Sequence, residues 1–316
     1  MAAATISHRL GWVGIGRMGL PLAGRLLDHG SDLAVYNRTR SKAAPLEGRG
    51  AKIVDTPADL ADCDVVFTMV AGPADFEEVV LGPQGILSRD TAPQVIVDSS
   101  TVSEEVSLRV REEAGVRGVA LLAAPVSGNP KVVKAGRLTF VVSGPADAFD
   151  LVQPYLEILG SGVTYVGEGE RARLVKICHN LFLGVVTQSL AEITVLAQKG
   201  GVARSAFLEF LNNSVMGSTF TRYKSPAFVN LDLAPTFTPE LLRKDFDLGL
   251  AAGRELEAPL PVAALVRELI QGMMGRGHVN EDFAALLLMA AESAGLELAP
   301  EDVEVSDGLV EPTGGG

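Results

Sequence analysis

The sequence predicts an α/β fold: an N-terminal, doubly wound, mostly parallel sheet followed by an all-α domain, with one long helix joining them. Three observations carry this expectation. Short apolar runs alternate with helical stretches up to about residue 165. A glycine-rich turn, Gly14-Ile15-Gly16-Arg17-Met18-Gly19, lies between the first apolar run and the first helical stretch. From Glu170 to Lys199 the chain is helical in pattern, strongly apolar and free of proline, and beyond it no convincing strand recurs.

The elements follow in order. Leu10–Val13, Leu33–Tyr36, Val65–Met69, Val95–Asp98, Ala120–Ala123, Thr139–Val142 and Val163–Val166 read as short buried strands. Between them, Leu20–Leu27, Ser41–Glu47, Asp75–Leu81 and Ser103–Ala114 read as amphipathic helices. The helix over 170–199 would be about 45 Å long, enough to join two domains, and Gly200-Gly201 stops it. Helical patterns then cover Ala203–Asn212, Pro239–Leu256, Val262–Arg276 and Glu281–Ala294. The expected division is a sheet domain over 1–167, a helical domain over 168–296 and a mobile acidic tail over 297–316.

Composition narrows the function classes. The 316 residues, 47% hydrophobic and 21% charged, suffice for two globular domains. A net charge of −12 argues against a general nucleic-acid or anionic-membrane binder, so an anionic ligand needs a local basic site. Cys63 and Cys178 are far apart and form no C-x-x-C pair, which speaks for a reducing cytoplasm rather than a disulfide scaffold. The N-terminus lacks the pattern of a secretory signal, and no run reaches the roughly 20 uninterrupted apolar residues of a membrane span. His8, His29, His179 and His278 have no metal-ligand spacing, and no metal is expected.

The glycine-rich turn fits G-x-G-x-x-G with a strand before it, a helix after it and a second strand on schedule. Such a turn brings backbone N–H groups to a pyrophosphate at the helix N-terminus, which assigns Gly14, Gly16, Arg17, Met18 and Gly19 to a dinucleotide. The segment after the second strand reads Asn37-Arg38-Thr39-Arg40. It has no carboxylate to bond a ribose 2′-hydroxyl or repel a 2′-phosphate. Arg38 supplies a fixed positive charge, while Asn37 and Thr39 supply neutral hydrogen bonds. NADP(H) is therefore expected over NAD(H), which stays possible.

A catalytic pair stands on the long helix. Lys176 and Asn180 are four residues apart, on one face, amid Leu174, Val175, Ile177, Leu181, Phe182 and Leu183. A partly desolvated lysine suits proton transfer to a developing alkoxide, and an amide orients substrate without adding charge. Lys244-Asp245 on a later helix is a second candidate pair. His179 lies about 100° around the helix from Asn180 and is a lesser one. Ser127 has no His or Asp partner in a nucleophile motif and reads as a substrate-binding hydroxyl.

Together these segments resemble the β-hydroxyacid dehydrogenase family, which includes 3-hydroxyisobutyrate dehydrogenases, tartronate semialdehyde reductases and glyoxylate/succinic semialdehyde reductases. The resemblance spans about residues 9–295. It rests on four blocks in family order: Gly14 to Pro21; Asp98-Ser99-Ser100-Thr101 with Ala124-Pro125-Val126-Ser127-Gly128; Gly167-Glu168-Gly169 with Lys176-Ile177-Cys178-His179-Asn180; and Lys244-Asp245. It implies that Lys176 is catalytic and that Asn180, Ser127 and Gly128 hold the substrate. Val70, Ala71 and Thr101 would line the nucleotide, with Thr101 also near substrate, and Lys244 would contact it near the nicotinamide. A small hydroxy acid or its semialdehyde would be the substrate, and a homodimer or homotetramer the assembly.

Three departures bear on substrate identity. The substrate loop reads Ser127-Gly128-Asn129-Pro130 where Ser-Gly-Gly is common, which places Asn129 beside the substrate and removes one N–H at Pro130. Ala123 stands where many members carry an acid. His179 replaces the first Asn of a Lys-x-x-Asn-Asn run. Imine reductases share the architecture but typically carry a different residue, often Asp or Tyr, at the position of Lys176. Catalytically silent NADPH-binding proteins tend to lose the lysine. Its presence favours a dehydrogenase.

Overall fold

The computed structural model describes residues 8–309. Six strands, β1 (Leu10–Val13), β2 (Leu33–Tyr36), β3 (Lys52–Ile53), β4 (Val65–Thr68), β5 (Val95–Asp98) and β6 (Ala120–Ala123), form one parallel sheet in the order β3-β2-β1-β4-β5-β6. Strands β1, β4 and β5 are buried at every position, as parallel strands covered on both faces must be. The strand order reverses between β1 and β4, which opens a crevice at their C-terminal ends.

The helices of this region are α1 (Gly19–Asp28), the short α2 (Ala44–Glu47), α3 (Pro73–Leu81) and α4 (Glu104–Val116). Successive strand residues point to opposite faces. Leu10, Trp12, Phe67 and Val97 therefore join Leu22 and Leu26 of α1 in one core layer. Val13, Val66, Ile96 and Leu121 join Phe76 and Val80 of α3 and Val110 of α4 in the other. At about 1.5–3 kcal/mol per fully buried side chain, these two layers outweigh any surface contact in holding the sheet.

Past β6 the chain forms β7 (Val126–Ser127), α5 (Pro130–Lys134), β8 (Thr139–Val142), α6 (Ala146–Leu159) and β9 (Gly162–Tyr165). The apolar pattern placed the last two strands in the doubly wound sheet. They instead belong to a separate three-stranded sheet, β7-β8-β9, with β7 antiparallel to β8, which touches the first sheet at the Ala123–Ser143 bridge. Pro125 lacks the N–H that a continuing β6 ladder would use, and the chain departs there.

Helix α7 (Arg171–Lys199) follows. The chain divides into two compact units, the first running to Lys176 and the second beginning at Ile177, so the division falls inside α7. Among the described residues α7 is the one helix long and apolar enough to cross a membrane, and half of its most apolar window is buried within the protein.

The second unit continues with α8 (Arg204–Asn213), α9 (Thr219–Asn230), α10 (Pro239–Glu255), α11 (Pro261–Gly275) and α12 (Leu286–Ser293). Leu181, Leu242, Phe246, Ile270, Met273 and Phe283 form its main core. A Cβ on Gly184 would lie 2.4 Å from the Phe246 ring, and one on Gly249 would lie 2.4 Å from Leu181. These two glycines let α7 and α10 pack closely. The described part of the expected mobile tail, residues 297–309, is hydrogen-bonded onto α8 and α9. Glu301 accepts the N–H groups of Arg204 and Ser205 at 2.7 and 3.0 Å, and Asn230 donates to the Val303 carbonyl at 2.8 Å. Residues 310–316 of that expected tail lie outside the described residues.

Candidate active site

The glycine-rich turn leaves β1 at its C-terminal end. Gly14 has φ +98°, and a Cβ there would lie 2.2 Å from the Met69 carbonyl oxygen. A Cβ on Gly19 would lie 2.0 Å from the Gly14 carbonyl oxygen, which also accepts the Trp12 indole N–H at 3.1 Å. Gly16 differs, because a Cβ there would meet nothing within 4 Å. The first and third glycines are thus required by the protein's own packing, and the second faces open space. The N-cap of α1, Met18, supplies no side-chain cap, and the first turn carries no acid. A helix N-terminus so arranged suits a pyrophosphate.

The other expected nucleotide residues of the first unit sit at the same sheet edge; Lys244 lies on α10 in the second unit. Asn37 is already engaged: its Oδ1 accepts the Ile15 N–H at 2.8 Å, and its Nδ2 donates to the Thr39 carbonyl at 2.8 Å. It therefore ties the end of β2 to the glycine-rich turn. Arg38 is 83% exposed and pairs with Asp75, at the start of α3, at 2.9 Å. Thr39 is exposed beside it. After β4, Val70 donates its N–H to Ser100 Oγ at 2.9 Å, and Ala71 is exposed. Thr101 follows β5 and is exposed. Arg17 is exposed and Met18 half-buried on the turn itself.

In the substrate loop, Ser127 is half-buried and ends β7. Gly128 has φ +143°, and a Cβ there would lie 2.8 Å from Leu138 and Val132. The structure accounts for the departure that follows. Asn129 is the N-cap of α5: its Oδ1 accepts the N–H groups of Lys131 and Val132 at 2.9 and 3.1 Å, and Pro130 opens the helix. Asn-Pro here starts a helix, and the amide oxygen of Asn129 is committed to it.

Lys176 lies on α7, half-buried. The first turn of this helix is anchored by charges. Arg173 bonds Asp98 Oδ2 at 2.8 Å, Glu170 Oε2 at 2.9 Å and the Ser100 carbonyl at 3.2 Å. Glu170 also accepts from Ser107 at 2.6 Å and Arg111 at 2.7 Å. Burial alone would raise the Glu170 carboxyl, but the Ser107 hydroxyl and the Arg111 and Arg173 guanidiniums outweigh it and hold it below its ordinary value.

In the second unit, Asn180 is buried and donates from Nδ2 to Asp245 Oδ2 at 2.6 Å. Its Oδ1 meets His179 Nδ1 at 2.9 Å. Lys244, 47% exposed, stands 3.9 Å from Asp245 Oδ1. The residues that pattern reading passed over are Asp245 as the holder of Asn180, Asp75 as the partner of Arg38, and the set Asp98, Glu170 and Arg173. A carboxylate ending a fully buried strand was the available signal for Asp98. Among the described residues no group of three His, Cys, Asp or Glu side chains is placed to hold a metal ion.

Comparison with known proteins identifies the family. Residues 9–167 match the family described as the NAD-binding domain of 6-phosphogluconate dehydrogenase. Residues 170–290 match the family described as the NAD-binding region of NADP-dependent 3-hydroxyisobutyrate dehydrogenase. The chain is 32% identical to 2-(hydroxymethyl)glutarate dehydrogenase of Eubacterium barkeri over 93% of its own length and 98% of the relative's. It is 31% identical to the chloroplastic glyoxylate/succinic semialdehyde reductase 2 of Arabidopsis thaliana over 90% and 80%. Among solved structures, a 3-hydroxyisobutyrate dehydrogenase from Salmonella typhimurium superposes with a TM-score of 0.77 at 23% identity, over 90% of this chain and all of that one.

Proposed function

Because the chain belongs to the β-hydroxyacid dehydrogenase family of NAD(P)-dependent oxidoreductases, we propose that it moves a hydride between NADP(H) and a small 3-hydroxy acid or its semialdehyde, with Lys176 as the proton donor and acceptor. The observation that carries this reading is the pairing on α7: Lys176 stands one turn before Asn180, whose amide is locked by Asp245.

A nicotinamide bound there would supply the hydride chemistry at the carbonyl carbon. The chain's own residues do the rest. Lys176 donates a proton from Nζ to the carbonyl oxygen as negative charge develops there, and in the oxidative direction it removes that proton from the hydroxyl. Asn180 orients the substrate oxygens through its amide. Ser127 and the backbone at Gly128 bind the acid group. Gly14, Gly16, Arg17, Met18 and Gly19 receive the pyrophosphate, and Val70, Ala71 and Thr101 line the nucleotide. Asn37 shapes that wall by holding Ile15, while Thr39 and Arg38 receive the 2′-phosphate. Lys244 serves the nicotinamide end. Asn129 acts on specificity by rigidifying the substrate loop as a helix cap.

The second unit exposes Phe182, Leu196, Phe210, Val215 and Met216. Apolar exposure of this kind favours a homo-oligomer, a dimer or tetramer. A monomer mass by light scattering would count against it.

The test is cofactor oxidation, on NADPH and NADH, against glyoxylate, succinic, tartronate and methylmalonate semialdehydes and a sulfonated analogue. Turnover with one of them, lost by about 10²- to 10⁴-fold in Lys176→Ala with cofactor binding intact, supports the reading; this corresponds to about 3–5 kcal/mol of barrier. Near wild-type kcat in that variant refutes the role of Lys176.

A further inference from the structure

The start of α7 is held by a set of four charged side chains, three of them buried. Asp98, at the end of β5, is fully buried, and Arg173 and Glu170 are 6% and 7% exposed. The set is electrically balanced, with Asp98 and Glu170 against Arg173 and Arg111. Each partner is hydrogen-bonded further. Asp98 Oδ1 accepts from Thr68 at 2.7 Å and from the Ser100 N–H at 3.1 Å. Arg111 donates to the Gly169 carbonyl at 3.1 Å, and Ser143 bonds both the Gly169 carbonyl at 2.7 Å and the Ala172 N–H at 3.0 Å. A buried ion set of this size is weak as a stabilising device, since apolar residues of similar volume often do as well or better. What it supplies is direction. A guanidinium is a planar fork, and here three of its nitrogens are fixed by three acceptors on two segments.

The position of that fork matters. Arg173 precedes Lys176 by three residues, so the two side chains are neighbours on the surface of α7. The carboxylate that Arg173 meets also holds the turn after β5, where Ser100 Oγ receives the Val70 N–H. One carboxylate thus bonds the helix that carries the lysine and the sheet edge that faces the dinucleotide.

We propose that Arg173 is a positioning residue: its bridge from Glu170 to Asp98 fixes the rotation and height of the first turn of α7 against the sheet edge, and so sets Lys176 at the distance from the substrate carbonyl that proton transfer needs. This rests on the reading of Lys176 as the proton donor. Proton and hydride transfer tolerate little displacement, and an error of about 1 Å costs on the order of a hundredfold in rate.

The test uses the full-length protein in three variants alongside Lys176→Ala. Arg173→Lys keeps the charge and removes the fork. Arg173→Gln leaves Asp98 buried with a charge short of its partner, and its instability is expected. The double variant Asp98→Asn/Arg173→Gln removes both charges and keeps groups able to hydrogen-bond. Arg173→Lys should lose about 10- to 100-fold in kcat, with KM for the aldehyde and the Kd of NADPH each within about threefold of wild type. The double variant should recover the melting temperature lost in Arg173→Gln without recovering kcat. A merely structural role gives the opposite: a folded double variant, or Arg173→Lys, with wild-type kcat. So does a decline in which Kd, KM and melting temperature worsen together. Either result overturns the proposal. If Lys176→Ala itself keeps its turnover, the premise fails; if Lys176→Ala is inactive while Arg173→Lys is fully active, the premise stands and the positioning role falls.

Discussion

The amide nitrogen of Asn180 donates to Asp245 Oδ2 at 2.6 Å, and both residues are buried. With its oxygen facing His179 Nδ1 at 2.9 Å, the amide cannot turn over without losing both contacts. Asp245 therefore decides which way Asn180 presents itself, although it stands 65 residues away in sequence. Truncation to Ala should leave the amide held by His179 alone and Lys244 without its nearby carboxylate. The expected outcome for Asp245→Ala is a rise of about tenfold in KM for the aldehyde, about 1.4 kcal/mol, near the low end of what a hydrogen bond to a charged group contributes. Asp245→Asn, which retains an acceptor oxygen, should raise KM less. Steady-state kinetics with saturating cofactor measures this, and an unchanged KM in the Ala variant would remove Asp245 from the site.

On the proposed reading, NADP(H) selectivity depends on Arg38, which Asp75 already holds. Arg38 is held by Asp75 at 2.9 Å, yet its side chain is 83% exposed. Ion pairs so exposed are worth about 0–1 kcal/mol, so a 2′-phosphate can take Arg38 away from Asp75. Arg38→Ala should weaken NADPH about tenfold while changing NADH less than about twofold. Asp75→Ala should do the reverse, tightening NADPH a few-fold by freeing Arg38 and removing a like charge. Nucleotide fluorescence titrations give the four dissociation constants. Equal loss of NADPH and NADH in Arg38→Ala would disprove a 2′-phosphate contact.

The parts of this fold that show in the sequence are those whose burial leaves a pattern. Strands such as β4 and β5 are covered on both faces and read as unbroken apolar runs. Helix α7 shows by length alone. Two-residue strands cannot show a period, which is why β3 and β7 escaped notice. Helix α9 escaped because it begins on a polar Ser218–Thr221 capping box and contains Pro226, both of which resemble a loop in sequence. Asn129-Pro130 looked like an altered binding loop and is the start of a helix. In the candidate site, spacing along one helix pointed to Lys176 and Asn180. Their supports did not show, because Asp98 and Arg173 are 75 residues apart and meet only once the sheet edge and α7 are built. Tertiary partners of this kind leave no period for a pattern to detect.

Gly14 and Gly16 of the turn should respond differently to the same added methyl group. At Gly14 the methyl would sit 2.2 Å from the Met69 carbonyl, on backbone with φ +98°, so neither space nor conformation allows it. At Gly16 it meets nothing within 4 Å, and no positive φ opposes it. Gly14→Ala should therefore lower the melting temperature of the protein alone, by several degrees for a strain of about 1–3 kcal/mol. Gly16→Ala should melt at the wild-type temperature without nucleotide, and should lose much of the thermal stabilisation that saturating NADPH gives the wild type, because the methyl occupies the approach to the turn. Thermal scans of both variants, with and without NADPH, separate the two effects. If Gly16→Ala keeps the full nucleotide-induced shift, the open space before the turn is not where the pyrophosphate binds.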